Sequence, residues 1–287
     1  MTAIGQFNTL SVLRAVEFGV YLDGGELGEI LLPQKYVPEG CKPGDTIEGF
    51  IYTDSEDRLV ATTERPRAKA GEFAFLKVHS VTSVGAFLDW GLSKHLLVPF
   101  REQKVKMEQG KSYVVYVYVD EHSRRMCASS RLDKFLARHE GDFETGQEVD
   151  LLLVSQSELG FNAIINGARW GILYHNEVFQ LLRQGQHVTG YIKKLREDGK
   201  IDLSLQKQGY AAVQDVTSSI LAMLRARGGF IDITDKSSPD DIYELFGMSK
   251  KTYKKAIGAL YKQRLITIED NGIRLVPQSD QAVPSQG

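Results

Sequence analysis

The stretch VEFGVYLDGG, residues 16–25, has a glycine inside an apolar and aromatic run that otherwise has the character of a β-strand. Glycine weakens a strand, because it offers no side chain for packing and loses more conformational entropy on folding than any other residue. Gly19 therefore indicates a bulge, a tight bend or a surface that another backbone must approach.

The pattern of this stretch occurs three times in the chain. VEFGVYLD (16–23) is followed by TSVGAFLD (82–89) and LGFNAIIN (159–166), and each copy runs from a turn-tolerant residue through an apolar or aromatic pair to Asp or Asn. In the first two copies a second glycine, Gly44 or Gly110, follows at the same distance from the first. The chain therefore contains an internal repeat.

The third copy allows two alignments with the first. Either Gly160 or Asn162 can take the position of Gly19. We prefer Asn162, because Asn tolerates a positive φ angle and because the neighbouring Phe161 then aligns with Phe18.

Each copy is predicted to form about five short strands in roughly 60 residues. After the motif come a short apolar strand, a polar stretch that ends on a glycine, and two strands joined by a charged turn. This spacing is typical of a small all-β barrel, and the five-stranded barrel that fits is the OB-fold. A glycine or a bulge then allows a strand to bend at the corner of a strongly curved barrel.

The chain after the third copy changes from strand periodicity to helix periodicity. VTSSILAMLRAR (216–227) has apolar residues on one helical face. A second helix is predicted after the N-cap Ser238 and Pro239, and Gly247 ends it. A third helix is predicted after Ser249, and its buried residues are Tyr253, Ile257, Leu260 and Tyr261.

A hairpin is predicted at the end of this segment, around Asn271-Gly272, a dipeptide favoured in two-residue turns. Three helices followed by a hairpin predict a winged helix. The fold class is thus mainly β with an α-rich C-terminal domain: three tandem five-stranded OB-fold barrels followed by a winged helix. The predicted domains are OB-folds at 1–66, 67–135 and 146–209, a winged helix at 210–277 and a disordered tail at 278–287.

The barrel motifs resemble a known module. FGVYLD and VGAFLD, with the apolar strand and the closing GxxIxG or GxxVxG that follow, resemble the RNA-binding OB-fold first described in ribosomal protein S1. GILYHNE in the third copy is similar to the strand end GLVHxSE of that family. The first two copies depart from it, with Pro33 and Pro99 in place of His. The resemblance implies RNA binding, although OB-folds also bind proteins.

Charge is unevenly distributed along the chain, whose net charge is −2. The first barrel (7–65) has five basic and eleven acidic residues, a net charge of −6. The second barrel (70–132) carries +3, the third (149–207) +1 and the last segment (213–276) +2. Because phosphate contacts supply most non-specific affinity, we expect nucleic acid to favour the later domains.

The resemblance implies which residues stack on bases, while cations near the hairpins follow the phosphates. The implied stacking residues are Phe18, Tyr21, Phe87, Phe161, Tyr174 and His175. In the second copy Val84 replaces the first aromatic residue of the motif. The hairpin cations are Arg58, Arg124, Arg125, Lys193, Lys194, Arg196 and Lys200. We rank the third copy first, because it combines a ring cluster with the basic run KKLR.

The third helix of the winged helix is rich in lysine, and in helix-turn-helix proteins this element enters the major groove of DNA. A solvated lysine face on a packing domain explains the same pattern equally well. The four lysines retained as candidate nucleic-acid contacts are Lys250, Lys251, Lys254 and Lys255.

The whole chain resembles the conserved virulence factor B family of bacteria, which includes YitL-like proteins. The resemblance lies in the order of the domains and in two stretches of sequence, LGFNAIINGARWGILYHNEVF and MSKKTYKKAIGALYKQRLI. The resemblance implies RNA binding that influences gene expression after transcription, including virulence and stress genes. It also implies that the last barrel and the winged helix contribute to the RNA surface.

Catalysis, cofactors and metal ions are not expected. The sequence has no HExxH motif, no Walker loop and no clustered Asp/Glu set of the kind that two-metal nucleases require. The six histidines are scattered, and we interpret all but His175 as ordinary surface or packing residues. Cys41 and Cys127 lack the close spacing of a zinc or redox pair.

Our leading hypothesis is a cytoplasmic, non-catalytic protein that binds single-stranded RNA and has no membrane partner, since no apolar run is long enough to span a bilayer. Two alternatives stay open. One is a transcription regulator that binds duplex DNA through the winged helix. The other is an accessory protein of a ribosome or nuclease complex, which uses the acidic first domain to contact ribosomal or RNA-decay proteins.

Overall fold

The computed structural model describes residues 2–136, 143–178, 180–206 and 210–276. The chain divides into two compact units, one of residues 1–141 with 167–169 and one of residues 142–166 with 170–287. The predicted tail, 278–287, lies outside the described residues. No helix in the described ranges is both long and apolar enough to cross a membrane.

Three closed five-stranded barrels are present, as the sequence predicts. In each barrel the first strand pairs with the second and the fourth, and a parallel contact joins the third strand to the fifth. The first barrel has β1 Phe7–Val16, β2 Gly19–Asp23, β3 Glu29–Pro33, β4 Thr46–Thr53 and β5 Leu59–Thr62. The second has β6 Phe73–Val81, β7 Gly85–Asp89, β8 Leu96–Pro99, β9 Ser112–Val119 and β10 Met126–Ser129, followed by the short helix α1 Asp133–Leu136. The third has β11 Glu148–Gln156, β12 Gly160–Ile165, β13 Arg169–Tyr174, β14 His187–Leu195 and β15 Ile201–Ser204.

The first residue of the second strand in each barrel is a glycine that the backbone of the third strand approaches closely. These glycines have φ angles of 152° to 155°, and an added Cβ would lie 2.2 or 2.3 Å from a carbonyl oxygen. No side chain fits at such a distance, so the repeat preserves a backbone approach. The pairs are Gly19 with Leu32, Gly85 with Val98 and Gly160 with Leu173.

The predicted alignment of the third copy is therefore wrong by two residues. Gly160, and not Asn162, occupies the position of Gly19, because only glycine tolerates both the φ angle and the neighbouring carbonyl. Phe161 consequently aligns with the buried Val20, and Asn162 aligns with Tyr21.

The first strand of each barrel is irregular where it pairs with the second. One extra residue interrupts the register between Val12 and Arg14, between Val78 and Ser80, and between Leu153 and Ser155. A bulge bends the strand and increases its twist, as closure of a small barrel requires.

A hydrophobic core joins the first two barrels. Trp90, only 1% exposed, packs its ring 5.8 Å from the ring of Phe50 and 6.5 Å from that of Tyr52. Backbone hydrogen bonds extend the contact, since Ala70 N donates to the carbonyl of Gly5 at 2.9 Å. These two barrels therefore form one packed body.

The last segment is a winged helix, as predicted. It has α2 Tyr210–Ala226, β16 Phe230–Ile231, α3 Pro239–Phe246, α4 Lys250–Lys262, β17 Ile266–Glu269 and β18 Gly272–Leu275, with sheet order β16-β18-β17. The side chains of Ser238 and Ser249 cap α3 and α4, and Gly247 ends α3 in the left-handed conformation.

Two details of this segment differ from the prediction. Tyr261 is 56% exposed rather than buried, whereas Tyr253, Ile257 and Leu260 lie in the core. The hairpin loop is Asp270-Asn271, and Gly272 pairs with Glu269. Gly272 is the first residue of β18, and an added Cβ there would lie 2.3 Å from the carbonyl oxygen of Ile231 on β16, so only glycine fits.

Replacing Gly160 by Ala tests the backbone approach. Because the new Cβ would lie 2.2 Å from the Leu173 carbonyl oxygen, we expect the free energy of unfolding to fall by about 2 kcal/mol or more. Urea denaturation followed by circular dichroism measures the change. The control is Gly258→Ala in α4, where an added Cβ meets open space and should stabilise the helix by about 0.5–1 kcal/mol. Equal stability of the Gly160→Ala protein and the wild type would contradict the close approach.

Candidate nucleic-acid interface

The first barrel presents two aromatic rings beside an arginine. Phe18, 58% exposed, lies just before β2, and its ring meets that of Tyr21 edge-on at 6.4 Å. The guanidinium of Arg14 lies 4.0 Å from the centre of the Tyr21 ring and also pairs with Glu29 at 2.6 Å. An exposed ring beside a cation offers a stacking surface and a phosphate contact together.

Arg58 lies on the turn between β4 and β5. Its guanidinium bonds to Asp54 at 2.7 Å and to Glu56 at 2.8 Å. Burial opposes the ionisation of Asp54, but hydrogen bonds from the side chain and backbone of Arg58 hold the pKa of Asp54 below its usual value. Of the residues predicted in this barrel, Phe18 and Tyr21 lie in contact, whereas Arg58 is engaged by the acidic residues of its own turn.

Arg14 is a site residue that the sequence reasoning missed. It pairs with Tyr21 across β1 and β2, directly after the bulge. Strand alternation alone, without the bulge, gives a different partner, so only the pairing register identifies it.

The second barrel has a different set of side chains on the corresponding strands. Val84, at the position of Phe18, is 56% exposed, and Phe87 is half-buried. The rings of His79 and His95 lie 3.8 Å apart. These two histidines, which we interpret from the sequence as surface or packing residues, lie in contact although they are distant in the chain. Burial, followed by the nearby His79, lowers the pKa of His95.

The second barrel also holds the β4–β5 turn of the first. Lys94 Nζ donates to the carbonyl oxygens of Thr53 at 2.7 Å and Asp54 at 2.5 Å. Burial lowers the pKa of Lys94, and the Lys94 carbonyl accepts a hydrogen bond from Trp90 Nε1 at 2.6 Å. This contact fixes the turn that carries Arg58.

The two arginines predicted on the β9–β10 hairpin differ in their surroundings. Arg125 forms an ion pair with Asp57 of the first barrel, so it joins the two barrels. Arg124 is exposed, and it lines a crevice together with Thr2, Asn8 and Glu26. Only Arg124 therefore faces open solvent as a phosphate contact requires.

The third barrel does not offer the predicted ring cluster. Phe161 is 7% exposed and belongs to the barrel core, so the structure contradicts its role as an open stacking platform. Its edge meets the ring of His175 at 6.0 Å. His175 is exposed and donates from Nε2 to the Ser157 carbonyl at 3.0 Å, while Tyr174 is half-buried.

Acidic neighbours neutralise most of the predicted cations of the third barrel. Lys193 pairs with Glu177, Arg196 lies 3.7 Å from Asp202, and Lys200 lies 3.2 Å from Asp198. Lys194 is exposed, and no acidic partner is seen for it within the described residues. The run KKLR is therefore less cationic than its sequence indicates.

The four lysines at the start of α4 divide into two pairs. Lys250 donates to the Ser237 carbonyl at 2.8 Å, and Lys254 lies 3.3 Å from Asp235. Lys251 and Lys255 are exposed and form no ion pair with any described residue. Two of these four lysines are thus free of an acidic partner among the described residues, as is the exposed Lys262 at the end of α4.

The chain is similar to known families and proteins over nearly its whole length. An S1 domain model matches residues 4–64 and 70–129, and a CvfB-like winged helix domain model matches residues 218–275. YitL of Bacillus subtilis is 31% identical over 280 residues, which cover 93% of this chain and 92% of that protein. Conserved virulence factor B of Staphylococcus saprophyticus is 28% identical over 282 residues, covering 95% and 94%. A crystal structure of a multidomain protein with nucleic acid binding domains from Streptococcus pneumoniae shares 25% identity, with a TM-score of 0.43 and coverage of 95% and 98%.

Removing the Lys94 amine tests the contact between the first two barrels. Lys94→Ala leaves the buried Thr53 carbonyl without this donor, and we expect a loss of about 1–3 kcal/mol in the free energy of unfolding. Urea denaturation measures it. Lys104→Ala is the control, because Lys104 is exposed and lies 3.9 Å from Asp133, and its effect should stay within about 0.5 kcal/mol. Equal effects of the two substitutions would argue against a fixed turn.

Proposed function

The chain belongs to the conserved virulence factor B family, which includes YitL, and from that premise we propose that it is a cytoplasmic, non-catalytic RNA-binding protein that regulates bacterial gene expression after transcription. Its S1 domains indicate nucleic-acid binding. The RNA is single-stranded, and the regulated genes include those of virulence or stress.

The observation that carries this proposal is the exposed ring of Phe18, which meets the half-buried ring of Tyr21 edge-on, with Arg14 over the Tyr21 ring. Bases stack on such rings only when they are unpaired and turned outward, as in single strands. The first barrel thereby replaces the third as our preferred primary site, because the third lacks an open platform at Phe161.

The acidic composition of the first barrel is compatible with this preference. Arg14, Arg58, Arg65 and Arg125 pair with Glu29, Asp54, Glu56, Glu48 and Asp57. An acidic side chain engaged with arginine repels phosphate less than an isolated carboxylate does. The same pairing leaves less acidic surface for a ribosomal or RNA-decay partner.

A second candidate function is duplex-DNA binding by the winged helix. The observation in its favour is the exposed pair Lys251 and Lys255 on α4, the element that enters the major groove in helix-turn-helix proteins. Lys251 and Lys255, with the exposed Lys262 at the end of the same helix, supply only a few phosphate contacts, so this candidate ranks below RNA binding.

Removing either ring tests the primary site. Phe18→Ala and Tyr21→Ala should each weaken the binding of single-stranded RNA by about five- to one-hundredfold, because one stacked base is worth about 1–3 kcal/mol. Fluorescence anisotropy with matched single-stranded RNA and duplex DNA measures the affinities. Tyr261→Ala is the matched control, since this ring on α4 is 56% exposed and lies outside the proposed site.

Two outcomes would contradict the proposal. Unchanged RNA affinity in both ring variants would remove the first barrel as the site. A preference for duplex DNA, abolished by Lys251→Ala with Lys255→Ala, would favour the winged-helix candidate.

A further inference from the structure

We propose that the contacting rings of His79 and His95 form a phosphate-binding subsite for single-stranded RNA on the second barrel, and that this subsite gains affinity as the pH falls. The inference rests on the proposed function. It adds the location of one phosphate contact and the pH at which that contact is stronger.

The pair flanks β7, the strand that corresponds to β2 with its Tyr21 ring, because β6 corresponds to β1 and β8 to β3. His79 is the extra residue at the bulge of β6, and its side chain is exposed. The next residue, Ser80, pairs with Phe87 just as Arg14 pairs with Tyr21. His95 directly precedes β8, so the two rings meet over the outer face of β7 at 3.8 Å.

The second barrel lacks the arginine that supplies positive charge at this place in the first barrel. Ser80 stands where the first barrel has Arg14, and Val84 stands where it has Phe18. An imidazole pair supplies ring surface at every pH and charge only when a ring is protonated, since histidine ordinarily changes its charge between about pH 5 and 8.

The charged groups around the histidine pair do not prevent an anion from binding there. Asp89 on β7 is the acidic group that acts on His95, and Arg67 already holds it at 3.2 Å. Lys77 on β6 lies opposite Asp89 in register. The loop before β8 contributes Lys94, whose amine points to the carbonyls of the first barrel, and β8 itself carries no charged residue.

The pair carries one charge at most, because two protonated rings in contact repel each other. His95 resists protonation, since burial and the neighbouring His79 lower its pKa, and its Nδ1 has no hydrogen-bond partner within the described residues. His79 is the exposed ring of the pair and therefore the one that a phosphate can reach. A protonated ring donates a charge-assisted hydrogen bond to a phosphate oxygen, which the neutral pair cannot match.

Two substitutions of His79 separate the ring from its charge. His79→Phe keeps an aromatic ring that never ionises, and His79→Lys keeps a charge at every pH used. His122→Gln is the matched control, because His122 lies exposed on the β9–β10 turn of the same barrel. Thermal unfolding of each variant confirms that the fold is retained.

The measurement is the anisotropy of a labelled single-stranded oligouridylate at about pH 5.5 and about pH 8, with a salt series at each. The wild type should bind about fivefold more tightly at the lower pH. The slope of log affinity against log salt should be steeper there by about 0.7, the value for one phosphate contact on a single strand. His79→Phe should lose this difference, His79→Lys should show the steeper slope at both pH values, and His122→Gln should behave as the wild type.

The failure of this inference is distinct from failure of the proposed function. If His79→Phe binds RNA and keeps the full pH difference, the subsite is wrong and RNA binding stands. If His122→Gln loses the difference as well, the charge does not belong to the His79 pair. If the wild type binds RNA at neither pH, both proposals fall.

Discussion

All three barrels depend on one contact between their second and third strands. In each of them the α-carbon of a glycine on the second strand lies close to a carbonyl oxygen on the third. This contact brings the two strands together at the barrel corner, where any side chain would collide with the backbone. It also decides which neighbours are exposed. The residue before each glycine lies outside the barrel, the next residue enters the core, and the one after it faces outward again. The exposure of Phe18 and the outward position of the half-buried Tyr21 follow from this constraint.

A common backbone thus carries three different surfaces. The first barrel combines rings with arginines, the second has a pair of imidazoles beside Phe87, and the third has Asn162 with Tyr174 and His175. Cations near these surfaces are mostly paired with acidic residues. Net charge per domain is therefore a poor guide to where a phosphate binds, because the local pairing decides the field that an incoming anion meets.

The barrels and the winged helix could be predicted because strand alternation, helix periodicity and capping residues are local properties. The register of the third copy could not, since Asn162 also satisfies a positive φ angle and the sequence does not reveal how near another backbone lies. Arg14 and the pair His79 and His95 were missed because a bulge shifts the pairing by one residue. The ion pair of Arg125 with Asp57 joins residues distant in the chain, which no local pattern encodes.

The first two barrels share a core formed by Trp90, Phe50 and Tyr52, and the Lys94 contact also joins them. The unit that repeats in the sequence is therefore smaller than the unit that folds. The first barrel is a complete OB-fold in topology, yet part of the apolar surface that stabilises it belongs to its neighbour. A polypeptide that ends between the two barrels would leave Phe50 open to water and would lose the donor of the Thr53 carbonyl. We therefore expect the two barrels to unfold as one cooperative body, and the amide protons of the β4–β5 hairpin to exchange at a rate set by the second barrel as much as by the first.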